Sequence, residues 1–411
     1  MKRIDLNKPN WRMVKFGDVV HNANLTVRNM AETALDRVVG LEHIDPENLH
    51  IRRWDDIADG TSFTRRFVPG QTLFGKRRAY QKKVAYAEFE GICSGDILTF
   101  ESKDHKVLLT EFLPFIVQSD GFFEYALGTS AGSLSPRTSW TALQSYEFPL
   151  PPIDEQHCIA EILWAADEVV IRTEELKETT EFLKSILFIQ SIEEAFGTAN
   201  LRKIAYASPS NGWSVLKISD CAKIVDPNPT HRYPPAVEDG IPLVSTADFI
   251  GESGYSFDNC QKVTEQTYKD QKDRCFFAES DIIFARKGIL GHARYYGTEP
   301  KCFSHTVVVI KPYESIVSSR YILEFLRSPS VFRYLDAIMN TNSGVPTLGV
   351  KVISDIPVPV PPIDKLKILD CSLHALDLSV EKANKYLLYQ SQTKKSFVDL
   401  LTSGLVQVEH V

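Results

Sequence analysis

Phe148-Pro149-Leu150-Pro151-Pro152-Ile153-Asp154 and Val358-Pro359-Val360-Pro361-Pro362-Ile363-Asp364 are two copies of one punctuation mark, 210 residues apart. In each, an apolar strand-like run ends in a Pro pair, which removes two backbone donors and holds the chain extended before a long helical pattern opens. Asp154 is placed to cap the first helix, and Gly197 is placed to stop it.

Working outward, Trp11-Arg12-Met13-Val14-Lys15-Phe16-Gly17-Asp18 is matched by Trp213-Ser214-Val215-Leu216-Lys217-Ile218-Ser219-Asp220, 202 residues later. Loops of unequal length account for the difference between the two offsets. The chain therefore reads as a globular segment followed by a long helix, used twice: 1–150, 151–199, 200–357 and 358–411. Both globules read as mixed α/β. Gly91-Ile92-Cys93 and Asp96-Ile97-Leu98-Thr99-Phe100 are strand-like, Phe112 to Leu127 holds a short helix, and Gly128 to Ser133 is a polar loop. In the second globule Asp281-Ile282-Ile283-Phe284 is matched to Asp96-Ile97-Leu98-Thr99, Tyr321 to Met339 reads as helix, and Asn340 to Gly344 as the polar loop. Residues 198–212 read as a linker.

The first helix is expected over about 153–197 and the second over about 363–402. The first seam reads Ile159, Ile162, Ala166, Val169, Thr173, Leu176, Thr180, Leu183 and Leu187, widened by Leu163 and Val170. The second reads Leu366, Leu369, Leu373, Leu376, Val380, Ala383, Leu387, Gln390, Lys394, Phe397 and Leu401. Between 153 and 197 eleven carboxylates face three cations, whereas the second helix carries six cations and five acids. This trend favours pairing of the two helices, but exposed ion pairs contribute only tenths of a kcal/mol, so the apolar seams must supply most of the stability.

The net charge of −7 over 411 residues does not argue against nucleic acid. The first helix holds the whole excess, and the rest of the chain is close to neutral with local basic faces. The first residues lack the apolar core of a signal peptide, and no later run is long enough to span a bilayer, so a cytoplasmic protein is expected. Seven scattered cysteines read as reduced thiols rather than a zinc site or a disulfide framework. No Gly-rich cofactor loop, phosphate loop, methylation motif or acidic metal cluster is legible, which argues against an enzyme. His231, His292 and His305 have no companions at ligand spacing.

The densest cationic stretch is Arg65-Arg66 followed by Lys76-Arg77-Arg78-Ala79-Tyr80-Gln81-Lys82-Lys83. Such a patch can neutralise phosphates, and its arginines can read guanine edges. A solvated hairpin face is the alternative. In the second globule Arg286, Lys287 and Arg294 surround Gly288 and Gly291, which would let a turn approach a nucleic-acid backbone, although a tight hairpin needs the same glycines. Ser130 and Ser133 in the first polar loop, and Thr341, Asn342 and Ser343 in the second, complete the candidates for DNA contact.

Taken together, globule, Pro151 to Gln156 (Pro-Pro-Ile-Asp-Glu-Gln), long helix, globule, Pro361 to Asp364 and second long helix resemble the DNA-specificity subunit of type I restriction-modification systems. The resemblance runs from Trp11 to the last helix; Lys365-Leu366 departs from the Glu155-Gln156 of the first copy. It implies an α+β fold with two target-recognition domains joined by two long antiparallel helices, a coiled coil with pseudo-two-fold repetition. It further implies a non-catalytic chain that reads a bipartite double-stranded DNA target and docks two methyltransferase subunits and the restriction/translocase subunits. S-adenosylmethionine, ATP and Mg are then expected on those partners, with no cofactor or metal on this chain. The rival expectation is a coiled-coil scaffold that binds no DNA.

Overall fold

The computed structural model describes residues 10–28, 34–209, 211–338 and 347–403. The chain divides into two compact units, Met1–Glu175 with Asn384–Val411, and Leu176–Ala383. Both boundaries fall inside the long helices, Ile153–Phe196 and Ile363–Thr402. Each unit thus takes one globule and a part of each helix.

In the first unit the strand before the Pro pair, Glu147–Leu150, pairs antiparallel with Arg12–Lys15, Leu150 facing Arg12. In the second, Pro357–Val360 pairs the same way with Ser214–Lys217. Both are two-stranded ribbons with an unpaired edge, where a proline sacrifices no ladder bond. The ribbon therefore closes each globule and aims the chain into its helix, which starts at Ile153 or Ile363. Asp154 lies in the first turn rather than at the cap, where its charge still favours the helix N-terminus.

Each globule is built on a four-stranded antiparallel sheet of one topology. The order is Val20–Asn22, Ile97–Ser102, Thr72–Gly75, Val84–Tyr86 in the first, and Ala222–Val225, Val307–Pro312, Ile282–Ala285, Ala293–Tyr295 in the second. The pairs Thr72↔Phe100 and Ile282↔Ile310 show the register. The strand at Ile282 therefore corresponds to Thr72–Gly75, and the expected match to Asp96-Ile97-Leu98-Thr99 is corrected. Two neighbouring strands carry similar apolar runs, so composition cannot tell them apart, whereas hydrogen-bond partners can.

The helix expected from Phe112 to Leu127 is two helices, Leu113–Gln118 and Asp120–Gly128, broken at Ser119, whose hydroxyl accepts from Phe122 N at 3.3 Å. The second globule repeats the break at Ser328, between Ser319–Arg327 and Pro329–Ile338. There the residue before a proline is steered out of the helical region. The expected linker holds a short helix, Leu201–Ile204, whose two end residues are buried in the second core.

Phe16, Phe74, Phe100 and Phe122 centre the first core, with Ile159 and Leu163 of the first long helix and Val398 and Leu401 of the second packed into it. Asp167 pairs with Lys394 in the same unit. As numbers rise along one helix they fall along the other, so the segments run antiparallel. The second unit does the same: Phe188 and Ile192 share a core with Leu366, Leu369 and Leu373, and Lys184 bonds Asp377 at 3.0 Å. The two acids, Asp167 and Asp377, and the two lysines, Lys184 and Lys394, stand 210 residues apart in the repeat.

These ion pairs explain why the first seam differs from its reading. The buried line runs through Gln156, Ile159, Leu163, Asp167 and Ile171, then Thr180, Lys184, Phe188 and Ile192, while Ile162, Val169, Leu176 and Leu183 are exposed. A hydrophobic pattern passes over buried charges that are stabilised by partners. The second seam is found largely as read, with Val398 buried in place of Phe397.

Candidate nucleic-acid interface

The cationic stretch of the first unit is the connection between two sheet strands, Thr72–Gly75 and Val84–Tyr86. Ala79 is buried and pins the loop. Arg78 and Lys82 flank it in the left-handed region, at φ +52° and +49°, a conformation that costs a non-glycine residue about 1–2 kcal/mol. Hydrogen bonds hold it there: Arg78 N donates to Pro136 O at 2.8 Å and Lys82 N to Ala79 O at 3.0 Å.

The structure sorts the expected cations by what they touch. Arg65 donates to the carbonyls of Gly95 and Ile97, Arg66 pairs with Glu90 at 2.7 Å, and Lys83 donates to Leu41 O at 2.6 Å. Lys82 bonds Asp120; burial acts to lower its pKa, but that carboxylate raises it overall. These four serve the fold. Arg77 and Arg78 both direct their Nε to Ser135 Oγ at 3.1 Å, and Arg77 lies 3.6 Å from Asp96.

Ser135 lies two residues past the polar loop Gly128 to Ser133, so two stretches distant in sequence form one surface. The loop closes through reciprocal bonds between Ala131 and Arg137, and Arg137 lies 3.0 Å from the same Asp96. Ser130 turns back to Ala126 O at 2.7 Å, while Ser133 and Leu134 stand at the exposed tip, Leu134 at 91%. Tyr80 is also exposed. Lys76 has a lowered pKa, first from burial and then from Arg65 and Arg137, with Asp96 opposing. Such crowding of like charge marks a place where an anion is welcome. Arg137 was missed by sequence reasoning; it follows the polar loop directly, and a basic residue there was the available signal.

In the second unit the corresponding loop connects Ile282–Ala285 and Ala293–Tyr295. Lys76 N donates to Asp96 O and Arg286 N to Thr306 O, each at 2.9 Å, and the isolated bridges Arg77↔Arg137 and Lys287↔Thr347 match as well. Lys287 thus takes the place of Arg77, and Gly288 at φ +81° takes that of Arg78.

Two candidates here are not on the surface. Arg294 is 1% exposed, donates to the carbonyls of Ile250, Gly251 and Gly254, and lies 3.8 Å over the Phe249 ring. Burial lowers its pKa to about 10. It is corrected to a structural residue, because its fork is consumed by backbone oxygens. Arg286 is also buried and pairs with Asp226 at 2.8 Å. Lys287 is partly exposed. Thr341, Asn342 and Ser343 lie outside the described residues.

Glu42, His43 and Asp55 lie close enough to share an ion, yet the His43 ring already accepts from Gly40 N at 2.9 Å, and among the described residues nothing further marks a metal centre. Among the described residues no helix is long and apolar enough to cross a membrane.

Residues 64–181 match the type I restriction modification DNA specificity domain. The Escherichia coli type I restriction enzyme EcoDI specificity subunit is 28% identical over 176 residues, which is 41% of this chain and 35% of that subunit. The MjaVIII specificity subunit of Methanocaldococcus jannaschii is 20% identical over 78% of this chain and 76% of its own length. The type I restriction-modification S subunit from M. genitalium shares the fold, with a TM-score of 0.54 at 13% identity over 99% of both chains. Domain match, relatives and fold agree in one direction: over residues 64–181 and in its overall fold, the chain is similar to the DNA-specificity subunits of type I restriction-modification systems.

Proposed function

We propose that this chain is the non-catalytic, cytoplasmic subunit that gives a type I restriction-modification complex its DNA sequence preference. Each globule reads one half of a bipartite duplex target, and the separation of the half-sites follows the length of the long helices, on the order of one helical turn. The helices also dock two methyltransferase subunits, to which the restriction/translocase subunits are added. S-adenosylmethionine, ATP and Mg act on those partners.

The observation that carries this reading is the repeated placement of a basic loop between the same two strands of the same four-stranded sheet. Arg77 and Arg137 share the one carboxylate of Asp96 while Arg78 bonds the neutral Ser135, so this surface keeps net positive charge for phosphates. Fixed left-handed turns limit the order that DNA must impose on binding.

The test is selection from a random duplex pool by the full chain, with and without its methyltransferase subunit. A pair of enriched half-sites at constant spacing is expected. Absence of bipartite enrichment under both conditions is the result that a scaffold without DNA binding gives, and it rejects the reading. Arg77→Ala with Arg78→Ala is expected to weaken binding and reduce the salt slope by about 2. Removing seven residues within 173–190 is expected to change the preferred spacer.

A further inference from the structure

Two histidines that stand alone in the sequence stack in the second unit. The rings of His231 and His305 lie 5.7 Å apart and nearly parallel, and Tyr233 meets His305 edge-on at 5.4 Å. His231 and Tyr233 are half exposed. Asp226, just past the strand Ala222–Val225, lies 2.8 Å from Arg286 and 3.4 Å from His231 through one carboxylate oxygen. Arg286 therefore largely neutralises Asp226. What remains is Lys287 on the basic loop and two imidazoles, with His305 Nδ1 buried and without a partner among the described residues.

We propose that the His231–His305–Tyr233 corner beside Lys287 holds a backbone phosphate of duplex DNA and takes up a proton as it does so. The proposal rests on the DNA-reading function above. The first unit grips phosphate with guanidinium groups that stay charged at every relevant pH, whereas the second uses a pair that charges on demand.

The groups facing His305 are Lys287 and Arg286 on the hairpin, His231 on the loop and Asp226 at the strand end. Burial first, and then Lys287, His231 and Arg286, hold the pKa of His305 below its ordinary value, with Asp226 opposing. A phosphate reverses the balance, because its charge favours imidazolium and its oxygens accept the new N–H. His305 therefore stays uncharged in the free protein and gains its charge when the phosphate arrives. His231 sits at φ +55°, a conformation in which Asn, Asp and His are enriched among non-glycine residues.

The experiment measures the affinity of the full chain for the duplex recovered by the wild type, at constant ionic strength from pH 5.8 to 7.8. Binding is expected to tighten as pH falls, by up to about tenfold per pH unit for each imidazole that takes up a proton. His231→Asn with His305→Gln is expected to flatten this dependence. Arg77→Ala with Arg78→Ala should weaken binding yet keep it. If the paired variant does not fold, His231→Asn alone, at a half-exposed position, should lose part of the slope. Wild-type binding independent of pH, or a slope that survives the histidine substitutions, overturns the proposal and leaves DNA reading intact. Failure to bind any duplex at any pH sinks the function itself.

Discussion

The two globules share a strand order and a loop position but ground their cations differently. In the first, Asp96 and Ser135 hold Arg77, Arg78 and Arg137 near the surface. In the second, Arg286 is sunk onto Asp226, Arg294 is enclosed by carbonyls, and Lys287 and two histidines are left outside. The sheet fixes where a reading loop emerges, while the few residues that neutralise its charge decide what chemistry it shows. Equivalent frames can therefore present different faces.

The paired charges of the long helices give the strongest way to break that comparison. Asp167 is nearly enclosed, and its carboxyl is held below the usual range by His50 and Lys394 although burial opposes this. Lys394→Met leaves the buried Asp167 with His50 as its remaining charged partner and is expected to cost about 3 kcal/mol, read by denaturant unfolding. Adding Asp167→Leu should recover most of the loss. In the second unit Lys184 serves two carboxylates, Glu324 and Asp377, each at 3.0 Å. There no single apolar partner can compensate Lys184→Met. Equal rescue in both units would show that the nodes are equivalent.

The arginines come next in size. Arg294→Lys loses the planar fork and strands backbone oxygens, at an expected cost of about 2–3 kcal/mol. Arg77→Ala should stay within about 0.5 kcal/mol and act on DNA affinity instead. A stability loss at Arg77 matching that at Arg294 would erase the distinction between reading and structural cations.

His50 sharpens the contrast through pH. Its hydrogen bond to Asp167 raises its pKa, with Glu88 adding and burial opposing. A raised value in the folded state stabilises below the ordinary value of about 6.5. That contribution is lost as pH climbs through the folded value. Asp167 behaves in the opposite sense, its contribution disappearing in acid below its ordinary value of about 3.9. The gap in melting temperature between wild type and His50→Gln should be widest between about pH 4 and 6.5 and narrow toward alkaline pH. A gap that widens with pH would contradict this. No imidazole takes this place in the second node, where Lys184 holds its proton more tightly through Glu324 and Asp377 despite burial.

The smallest effect concerns the helix starts. Trp11 Nε1 donates to Glu155 at 2.8 Å, and Gln156 bonds Leu109 N at 2.8 Å and the carbonyls of Val107 and Pro151 at 2.9 Å. In the second copy Leu366 is simply buried, and Trp213 Nε1 is buried without a partner among the described residues. Lys365→Glu should supply the missing acceptor and stabilise by about 1 kcal/mol in thermal unfolding. No gain would mean that the two tryptophans differ in more than their acceptor.

The sequence by itself determined the duplication, the ends of both long helices, the buried line of the second helix and the cationic loop of the first globule. Each is written in local pattern: proline pairs, apolar spacing and charge density act over a few residues and repeat 210 residues later. Only tertiary structure decided which face of the first helix is buried, because Asp167 and Lys184 look like surface residues until Lys394 and Asp377 are brought to them. It also decided that Arg294 is enclosed, that Arg137 joins Arg77, and that His231 meets His305. In those cases the partner lies far along the chain, and a charge becomes structural or available according to what folding sets beside it.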